Sequence, residues 1–216
     1  MNWTHRHIIS FGVLSRQDVL HVLDIAQEME ASPPTDLLKG NILGVLFFEP
    51  STRTRLSFVS AMTRIGGEIL DFGDSQRTSL KKGESFKDTV RMMGAYSDVI
   101  ALRHSLEGSA KLAADVAGVP IINAGDGAHQ HPTQTFLDLY TIQKNHGTID
   151  GLKIGFAGDL KYGRTVHSLL DALTLFDCEL FLVSPPQLRV PEQIVQELEE
   201  QGVKVTQTES LKDCLP

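Results

Sequence analysis

The 216-residue sequence predicts an α/β protein with two doubly wound parallel-sheet domains, the second of them incomplete. Short apolar runs alternate with amphipathic helical segments along most of the chain, which is typical of parallel sheets covered by helices. The alternation pauses and restarts near residue 150. Polar or glycine-containing segments follow several strands directly, and because ligands bind beyond the carboxyl ends of parallel strands, these segments predict where functional groups lie.

The first domain is predicted to span residues 1–149. Its strands are expected where short apolar runs are bounded by turn residues, at 42–48, 68–72, 98–102 and 119–124. Helical periodicity predicts helices near 52–65, 84–96, 108–117 and 132–145. The last of these begins with a proline, which suits the first turn, and ends before a glycine.

The second domain is predicted to span residues 150–216. Strands are expected at 153–157, 179–183 and 203–206, with helices at 165–176 and 191–201. This stretch is shorter than the ~100 residues of a typical doubly wound domain, so the sheet is expected to be incomplete.

Composition excludes several function classes. A net charge of −7 argues against a general nucleic-acid surface. No apolar run is long enough to span a bilayer, and the first residues lack the apolar core of a signal peptide. Cys178 and Cys214 are isolated and form no metal-ligand pattern, which predicts a cytoplasmic protein in which both thiols serve packing or lie at the surface.

The segment Ser51–Arg55 predicts a phosphate site. It brings the hydroxyls of Ser51, Thr52 and Thr54 and the guanidinium groups of Arg53 and Arg55 to a helix start after a buried strand. Free N–H groups and the helix dipole favour an anion there, and arginine adds a planar donor fork. Cations in a first turn are otherwise unfavourable. Arg55 is equally compatible with a structural ion pair.

Two further segments follow strands and should meet this site at one sheet edge. Arg103 ends the third strand, where it can polarise a carbonyl or hold an anion, whereas the adjacent His104 is expected at the surface. His131 and Gln134 are three residues apart at a helix start and share its face. One imidazole donor and one amide together suit a planar carbonyl-plus-amino group.

The remaining candidates lie in glycine-containing loops. Arg164 lies near a helix start after a strand and suits a carboxylate ligand. The loop at 79–84, with Ser79 and Lys82, is either a solvated loop or a lid from which a lysine reaches a site. No cofactor is predicted, because the glycines at 155, 158 and 163 do not fit G-x-G-x-x-G. No metal is predicted, because nothing completes a site around His129 and His131.

Together these segments resemble the family of aspartate transcarbamoylase (aspartate carbamoyltransferase) catalytic chains. Four motifs carry the resemblance: FEPSTRTR at 48–55, KGES at 82–85, GDG with HPTQ at 125–127 and 131–134, and GDLKYGRTVHS at 158–168. The first is shared with the ornithine enzyme, whereas the third and fourth are typical of the aspartate enzyme. The resemblance covers nearly the whole chain and implies a transcarbamoylase-like fold.

The resemblance implies transfer of the carbamoyl group of carbamoyl phosphate to the amino group of L-aspartate, an early step of pyrimidine biosynthesis. By the same resemblance Ser51, Thr52, Arg53 and Thr54 hold the phosphate. Thr54, Arg103 and His131 contact the carbonyl oxygen, and Gln134 fixes the carbamoyl NH2. Arg164 binds an aspartate carboxylate. Ser79 and Lys82 reach the site of a neighbouring subunit, which implies a homotrimer with shared sites. The catalytic set implied is Arg53, Thr54, Lys82, Arg103, His131 and Gln134.

The resemblance also implies a carbamoyl-phosphate-binding domain at 1–149 and a partial aspartate-binding domain at 150–216. In the family the second domain continues beyond residue 216, so this chain is expected to bind carbamoyl phosphate well and aspartate poorly. Two alternatives stay open: another transcarbamoylase such as the ornithine enzyme, and a truncated non-catalytic form that only binds carbamoyl phosphate. The sequence leaves open whether regulatory chains bind.

Overall fold

The computed structural model describes residue 3 and residues 6–73, 83–127 and 130–214. The chain divides into two compact units. One comprises Met1–Ser10 and Asp24–Pro132, and the other comprises Phe11–Leu23 and Thr133–Pro216. The helix α1 (Arg16–Ala31) therefore contributes to both units.

The first unit contains a four-stranded parallel sheet. Its strands are β1 (Ile42–Phe47), β2 (Glu68–Asp71), β3 (Val99–His104) and β4 (Ile121–Asp126), in the order β2-β1-β3-β4. The helices that alternate with them are α2 (Thr52–Arg64), α3 (Phe86–Tyr96) and α4 (Ser109–Ala114). The predicted alternation of strand and helix in this part of the chain is confirmed.

Apolar residues on both faces of this sheet explain why helices cover it on both sides. Leu43, Val45 and Phe47 of β1 form one buried cluster with Met62 of α2. Leu46 of β1 belongs to a second cluster with residues of α3 and α4. Because successive side chains of a strand point to opposite faces, β1 is apolar throughout rather than alternating. The first unit is therefore doubly wound, as the sequence predicts.

Parallel pairing aligns the carboxyl ends of three strands at one edge. Phe47 of β1 is paired with Arg103 of β3, and His104 is paired with Asp126 of β4. The register shifts between Leu102 and His104. The segments after β1, β3 and β4 therefore meet at one edge of the sheet, which confirms the predicted convergence.

The second unit contains a three-stranded parallel sheet. The strands are β5 (Lys153–Ala157), β6 (Glu179–Val183) and β7 (Lys204–Thr208), in the order β5-β6-β7. The unit also includes most of α5 (Pro132–His146), with α6 (Arg164–Leu173) and α7 (Glu192–Glu200). Its fully buried leucines at 170, 173, 180 and 182 come from α6 and β6 and form the core.

The predicted elements agree with the structure except at boundaries and before residue 42. Most boundaries differ by one to three residues, and the predicted 165–176 helix is Arg164–Leu173. No bounds were predicted for α1, although Val19 and Leu23 on it are fully buried. The predicted boundary between the two domains, after residue 149, stays a prediction. The two compact units of the structure divide this part of the chain between Pro132 and Thr133.

Candidate active site

The N-terminus of α2 lies directly after the carboxyl end of β1. Ser51 occupies the N-cap position, yet within the described chain its side chain makes no capping hydrogen bond. The first turn of α2 contains no acidic residue. The N–H groups of a first turn have no partner inside the helix, so this turn presents several donors and the hydroxyls of Ser51, Thr52 and Thr54 to an anion.

The two arginines of this turn have different environments. Arg55 is ion-paired with Asp71 at the end of β2, so the structural alternative for this residue is confirmed. Arg53 is exposed and pairs with no carboxylate among the described residues. Of the two guanidinium groups, Arg53 is therefore the one that remains available to a ligand.

Arg103 is almost fully buried, with 6% of its surface exposed. Its Nη1 donates to the carbonyl oxygen of Ala124 at 3.1 Å, and its Nη2 donates to Glu49 at 2.8 Å. Its Nε is buried and has no hydrogen-bond partner among the described residues. A buried cation needs pairing and hydrogen bonds, and Glu49 and Ala124 supply them and fix the position of the guanidinium group.

His131 and Arg103 flank the same glycine. A Cβ atom on Gly125 would lie 3.1 Å from Nη1 of Arg103 and 3.6 Å from Cδ2 of His131. Gly125 also has a φ of 120°, a conformation that L side chains rarely adopt. His131 is buried, at 7% exposure. The absence of a side chain at residue 125 thus leaves room between a cation and an imidazole.

Two buried polar residues shape the backbone around Gly125. Asn123 accepts a hydrogen bond from the Gly125 N–H at 2.8 Å and donates to Asp126 at 3.0 Å. Asp126 in turn accepts from the N–H groups of Gly108 and Gln130. These bonds connect β4 to the segments on either side of it, so they hold the loop that leads to His131.

His104 is only partly exposed and packs against two aromatic rings, so the prediction of a surface position is only partly correct. Its ring lies 5.0 Å from that of Phe48 and 5.1 Å from that of Phe86. Its Nδ1 accepts a hydrogen bond from the Leu106 N–H. Burial among aromatic rings lowers the pKa of His104, and nearby Glu49 opposes part of that shift. The sequence places His104 on the opposite face from Arg103, and the structure shows that this face is apolar.

In the second unit, Gln134 lies in the first turn of α5. Its Nε2 donates to Oδ1 of Asp138, one helical turn later, at 3.0 Å. Burial raises the pKa of Asp138, and the bond from Gln134 offsets part of that rise. Arg164, which is predicted near the start of this helix, is the first residue of α6 and is half-buried.

Ser79, Lys82 and His129 lie outside the described residues. The remaining predicted residues fall into two groups: Ser51, Thr52, Arg53, Thr54, Arg103 and His131 share the carboxyl edge of the first sheet, and Gln134 and Arg164 lie in the second unit. Sequence reasoning missed the supporting roles of Glu49, Asn123 and Asp126. The signal available for Glu49 and Asp126 was their position at strand ends beside the predicted site residues, whereas Asn123 lies within β4.

Other kinds of site find no support in the described ranges. They contain no group of three His, Cys, Asp or Glu side chains arranged to hold a metal ion. None of the helices described is both long enough and apolar enough to cross a membrane. Burial raises the pKa of the Cys178 thiol to about 11, which keeps it protonated at neutral pH, as the predicted packing role requires.

Comparison of the chain with known proteins finds similar sequences along its whole length. Residues 6–144 match the model of the aspartate/ornithine carbamoyltransferase carbamoyl-P binding domain, and residues 150–215 match that of the Asp/Orn binding domain. The aspartate carbamoyltransferase catalytic subunit of Thermococcus kodakarensis is 56% identical over 220 residues, an alignment covering all of this chain and 71% of the relative. The catalytic subunit of Methanococcoides burtonii is 52% identical with the same coverage.

Solved structures give the same result. The catalytic subunit of M. jannaschii aspartate transcarbamoylase superposes with a TM-score of 0.91 at 52% identity, covering 96% of this chain and 70% of that one. Aspartate transcarbamoylase from Trypanosoma cruzi, in complex with carbamoyl phosphate and aspartate, superposes with a TM-score of 0.89 at 39% identity. That alignment covers 97% of this chain and 69% of the T. cruzi chain.

Proposed function

Because this chain belongs to the aspartate/ornithine carbamoyltransferase family, we propose that it transfers the carbamoyl group of carbamoyl phosphate to the amino group of L-aspartate. The products are N-carbamoyl-L-aspartate and phosphate. The observation that carries this function is the carboxyl edge of the first sheet, where the α2 N-terminus, Arg103 and His131 meet. Relatives of 49–56% identity that are named as the aspartate enzyme support aspartate as the acceptor.

The α2 N-terminus binds the phosphate end. Backbone N–H groups and three hydroxyls donate to phosphate oxygens, and Arg53 adds a charged fork. The first turn lacks acidic residues, so nothing in it repels the anion. The lack of a capping bond from Ser51 within the described chain leaves its hydroxyl available for the same task.

Thr54, Arg103 and His131 act on the carbamoyl end. The amine of aspartate attacks the carbonyl carbon, a C–N bond forms, and the carbonyl oxygen gains negative charge. Donors fixed before the reaction stabilise that charge at little reorganisation cost. Arg103 meets this requirement because Glu49 and Ala124 hold its guanidinium group in place. The C–O bond to phosphate then breaks, and the departing phosphate accepts the amine proton.

Gln134 and Arg164 serve the amino group and the second substrate. Gln134 accepts from the carbamoyl NH2, and Arg164 pairs with an aspartate carboxylate. The position of Arg164 at the start of α6 supports this role, since a helix N-terminus and a guanidinium group both attract a carboxylate. Holding two anionic substrates together lowers the entropic barrier to their reaction.

The assembly we propose is a homotrimer with shared sites. It rests on the similarity of the segments around Ser79 and Lys82 to the loop that the family donates to a neighbouring subunit. Light scattering coupled to size-exclusion chromatography tests it. A mass near three times the 23.8 kDa chain supports the trimer, and a monomer contradicts it.

The cellular role we propose is pyrimidine biosynthesis in the cytoplasm, without a metal or cofactor. We further propose a carbamoyl-phosphate-binding domain at 1–149 and an aspartate-binding domain at 150–216. The family-model matches at 6–144 and 150–215 support that division.

A direct assay tests the function. Purified chain is incubated with carbamoyl phosphate and either L-aspartate or L-ornithine, and the carbamoylated product and phosphate are measured. Product with aspartate and none with ornithine is expected. Preference for ornithine would support the rival transcarbamoylase, and calorimetric binding of carbamoyl phosphate without product would support the non-catalytic form.

A further inference from the structure

Asp138 lies one helical turn after Gln134 on α5, and we propose that it is a positioning residue that makes Gln134 selective for the amino group of carbamoyl phosphate. The inference rests on the proposed function, because it concerns the Gln134 amide that is proposed to bind the carbamoyl group. It adds to that function a reason why the site distinguishes an amino group from a methyl group.

The first step is the chemistry of the pair. Residues four apart on a helix are neighbours on one face, and Nε2 of Gln134 donates to Oδ1 of Asp138 at 3.0 Å. An ionised carboxylate only accepts hydrogen bonds, so it binds the NH2 side of the amide and rejects the carbonyl side. Asp138 therefore directs Oε1 of Gln134 away from itself.

The second step is the match to the ligand. The NH2 group of carbamoyl phosphate donates hydrogen bonds and accepts none. An amide that presents its oxygen binds this group, whereas an amide turned by 180° would place donor against donor. By holding one of the two orientations, Asp138 makes Gln134 a dedicated acceptor.

The third step is the environment of the carboxylate. Asp138 is half-buried, and that burial raises its pKa. The carboxylate of Asp138 accepts its hydrogen bond from the neutral amide of Gln134. A cation in that place would stabilise the negative charge more strongly. The charge of Asp138 thus strengthens the hydrogen bond from Gln134, because charge-assisted hydrogen bonds are the stronger ones.

The chain offers a matched control for this pair. On α7, Nε2 of Gln193 donates to Oε1 of Glu197 at 2.9 Å, with the same spacing and the same chemistry. Both residues are exposed and belong to none of the predicted site segments. E197A therefore removes an equivalent helix-surface bond without touching the site.

The test compares two ligands in the full 216-residue chain. Acetyl phosphate carries a methyl group where carbamoyl phosphate carries NH2, so it cannot use an acceptor at residue 134. Affinities for both are measured by calorimetry in wild type, D138A, D138N, Q134A and E197A. Thermal unfolding of each variant verifies that it is folded.

We expect D138A to weaken carbamoyl phosphate binding about tenfold, the equivalent of one hydrogen bond. Acetyl phosphate binding should change less than about twofold, as should both affinities in E197A. D138N should recover only part of the carbamoyl phosphate affinity, because its side-chain oxygen can still accept from Gln134 but its neutral NH2 group can equally bind the amide in the turned orientation.

Two results would overturn the proposal: unchanged carbamoyl phosphate binding in D138A, or an equal loss for both ligands, which indicates a merely structural role. Failure of the wild-type chain to bind carbamoyl phosphate would instead overturn the proposed function itself. Q134A with unchanged affinity would remove the role of Gln134 and this inference with it.

Discussion

At the residue scale, the two arginines of α2 show how the surroundings decide what a side chain does. Arg55 is neutralised by Asp71, whereas Arg53 is exposed and pairs with no described carboxylate. Both lie within the first turns of one helix and look alike in the sequence. The difference arises because β2 ends beside Arg55 and brings an aspartate to it.

This contrast leads to a prediction for carbamoyl phosphate binding. R53A removes a charge-assisted contact to phosphate and should weaken binding by about 1.5–3 kcal/mol. That loss corresponds to about 10- to 150-fold in affinity. Calorimetric titration of the purified variant measures it.

R55A serves as the control for that experiment. It removes a charge at the same helix end but breaks only the pair with Asp71. Its affinity for carbamoyl phosphate should stay within about threefold of wild type, since longer-range attraction is screened by salt. An R55A loss as large as that of R53A would contradict the assignment of Arg53 to the phosphate.

His104 carries a prediction about pH. Its pKa lies below the ordinary 6.5 because burial between Phe48 and Phe86 disfavours the charged imidazole. As the pH falls below about 6.5, the unfolded chain binds a proton that the folded chain resists, so the free energy of unfolding decreases. Urea titrations between pH 5 and pH 8 measure this slope.

The variant H104N should flatten that pH dependence. Asparagine does not titrate, and its side-chain oxygen can still accept from the Leu106 N–H. H146N, which replaces an exposed histidine in the last turn of α5, is the control and should keep the wild-type slope. An unchanged slope in H104N would show that another group causes it.

At the element scale, Arg16 attaches the start of α1, a helix outside the strand–helix alternation, to the rest of the second unit. In the second unit, Nη1 of Arg16 donates to Oδ1 of Asp150 at 2.9 Å, and its guanidinium group lies 5.1 Å from the ring centre of Phe176. The Asp177 N–H donates to the same carboxylate. Asp150 thus joins the helix start to the segment before β6.

These contacts predict how acid affects D150N. The hydrogen bonds from Arg16 and from the Asp177 N–H hold the pKa of Asp150 below its ordinary 3.8. The contribution of the ionised carboxylate is present above that value and is lost as the pH falls through the lower folded pKa. D150N should therefore be less stable than wild type at pH 7, by about 1 kcal/mol or less because the pair is partly exposed. At pH 3 the difference should shrink.

Chemical denaturation at both pH values measures the difference. E209Q is a suitable control, because Glu209 pairs with Arg189 at the surface at 2.9 Å without an added backbone donor in the described contacts. Its effect should be smaller at either pH. A D150N deficit that stays the same at pH 3 would contradict the ionic origin of the effect.

At the scale of the whole molecule, each unit has its own sheet and its own core, so a ligand can stabilise one without the other. The predicted phosphate-binding groups all lie in the first unit. Carbamoyl phosphate at about 100 times its Kd should add about 2.7 kcal/mol to the free energy of unfolding of the unit that binds it.

Hydrogen exchange measured by mass spectrometry tests this expectation. Amides of β1, β3 and β4 should exchange more slowly with carbamoyl phosphate present, whereas amides of β5, β6 and β7 should slow much less, because only Gln134 contacts this ligand from the second unit. R53A should show a smaller slowing in the first sheet at the same ligand concentration, because its weaker affinity leaves only about 0.3–1.4 kcal/mol of stabilisation. Equal protection of both sheets would contradict the assignment of the phosphate-binding groups to the first unit.

Much of the fold was predictable because parallel sheets leave a strong pattern. β1 is an uninterrupted apolar run, and the segments after β1, β3 and β4 are polar, so their convergence follows from topology. The helix α1 was not delimited, because it lies outside the alternation from which the other elements were predicted. The role of Glu49 was missed and the environment of His104 was misjudged, because the partners of both residues are distant in the chain.

The sequence by itself determined the doubly wound first unit, the strand ends that carry Arg53, Arg103 and His131, and the family resemblance. These depend on local periodicity and on short motifs, which neighbouring residues specify. Only the tertiary structure decided that Arg55 is already paired, that Arg103 is fixed by Glu49, that His104 packs against aromatic rings and that Gln134 donates a hydrogen bond to Asp138. Hydrogen bonds, ion pairs and desolvation depend on side-chain positions in space, and residues 54 positions apart, such as Glu49 and Arg103, meet only when the strands pair.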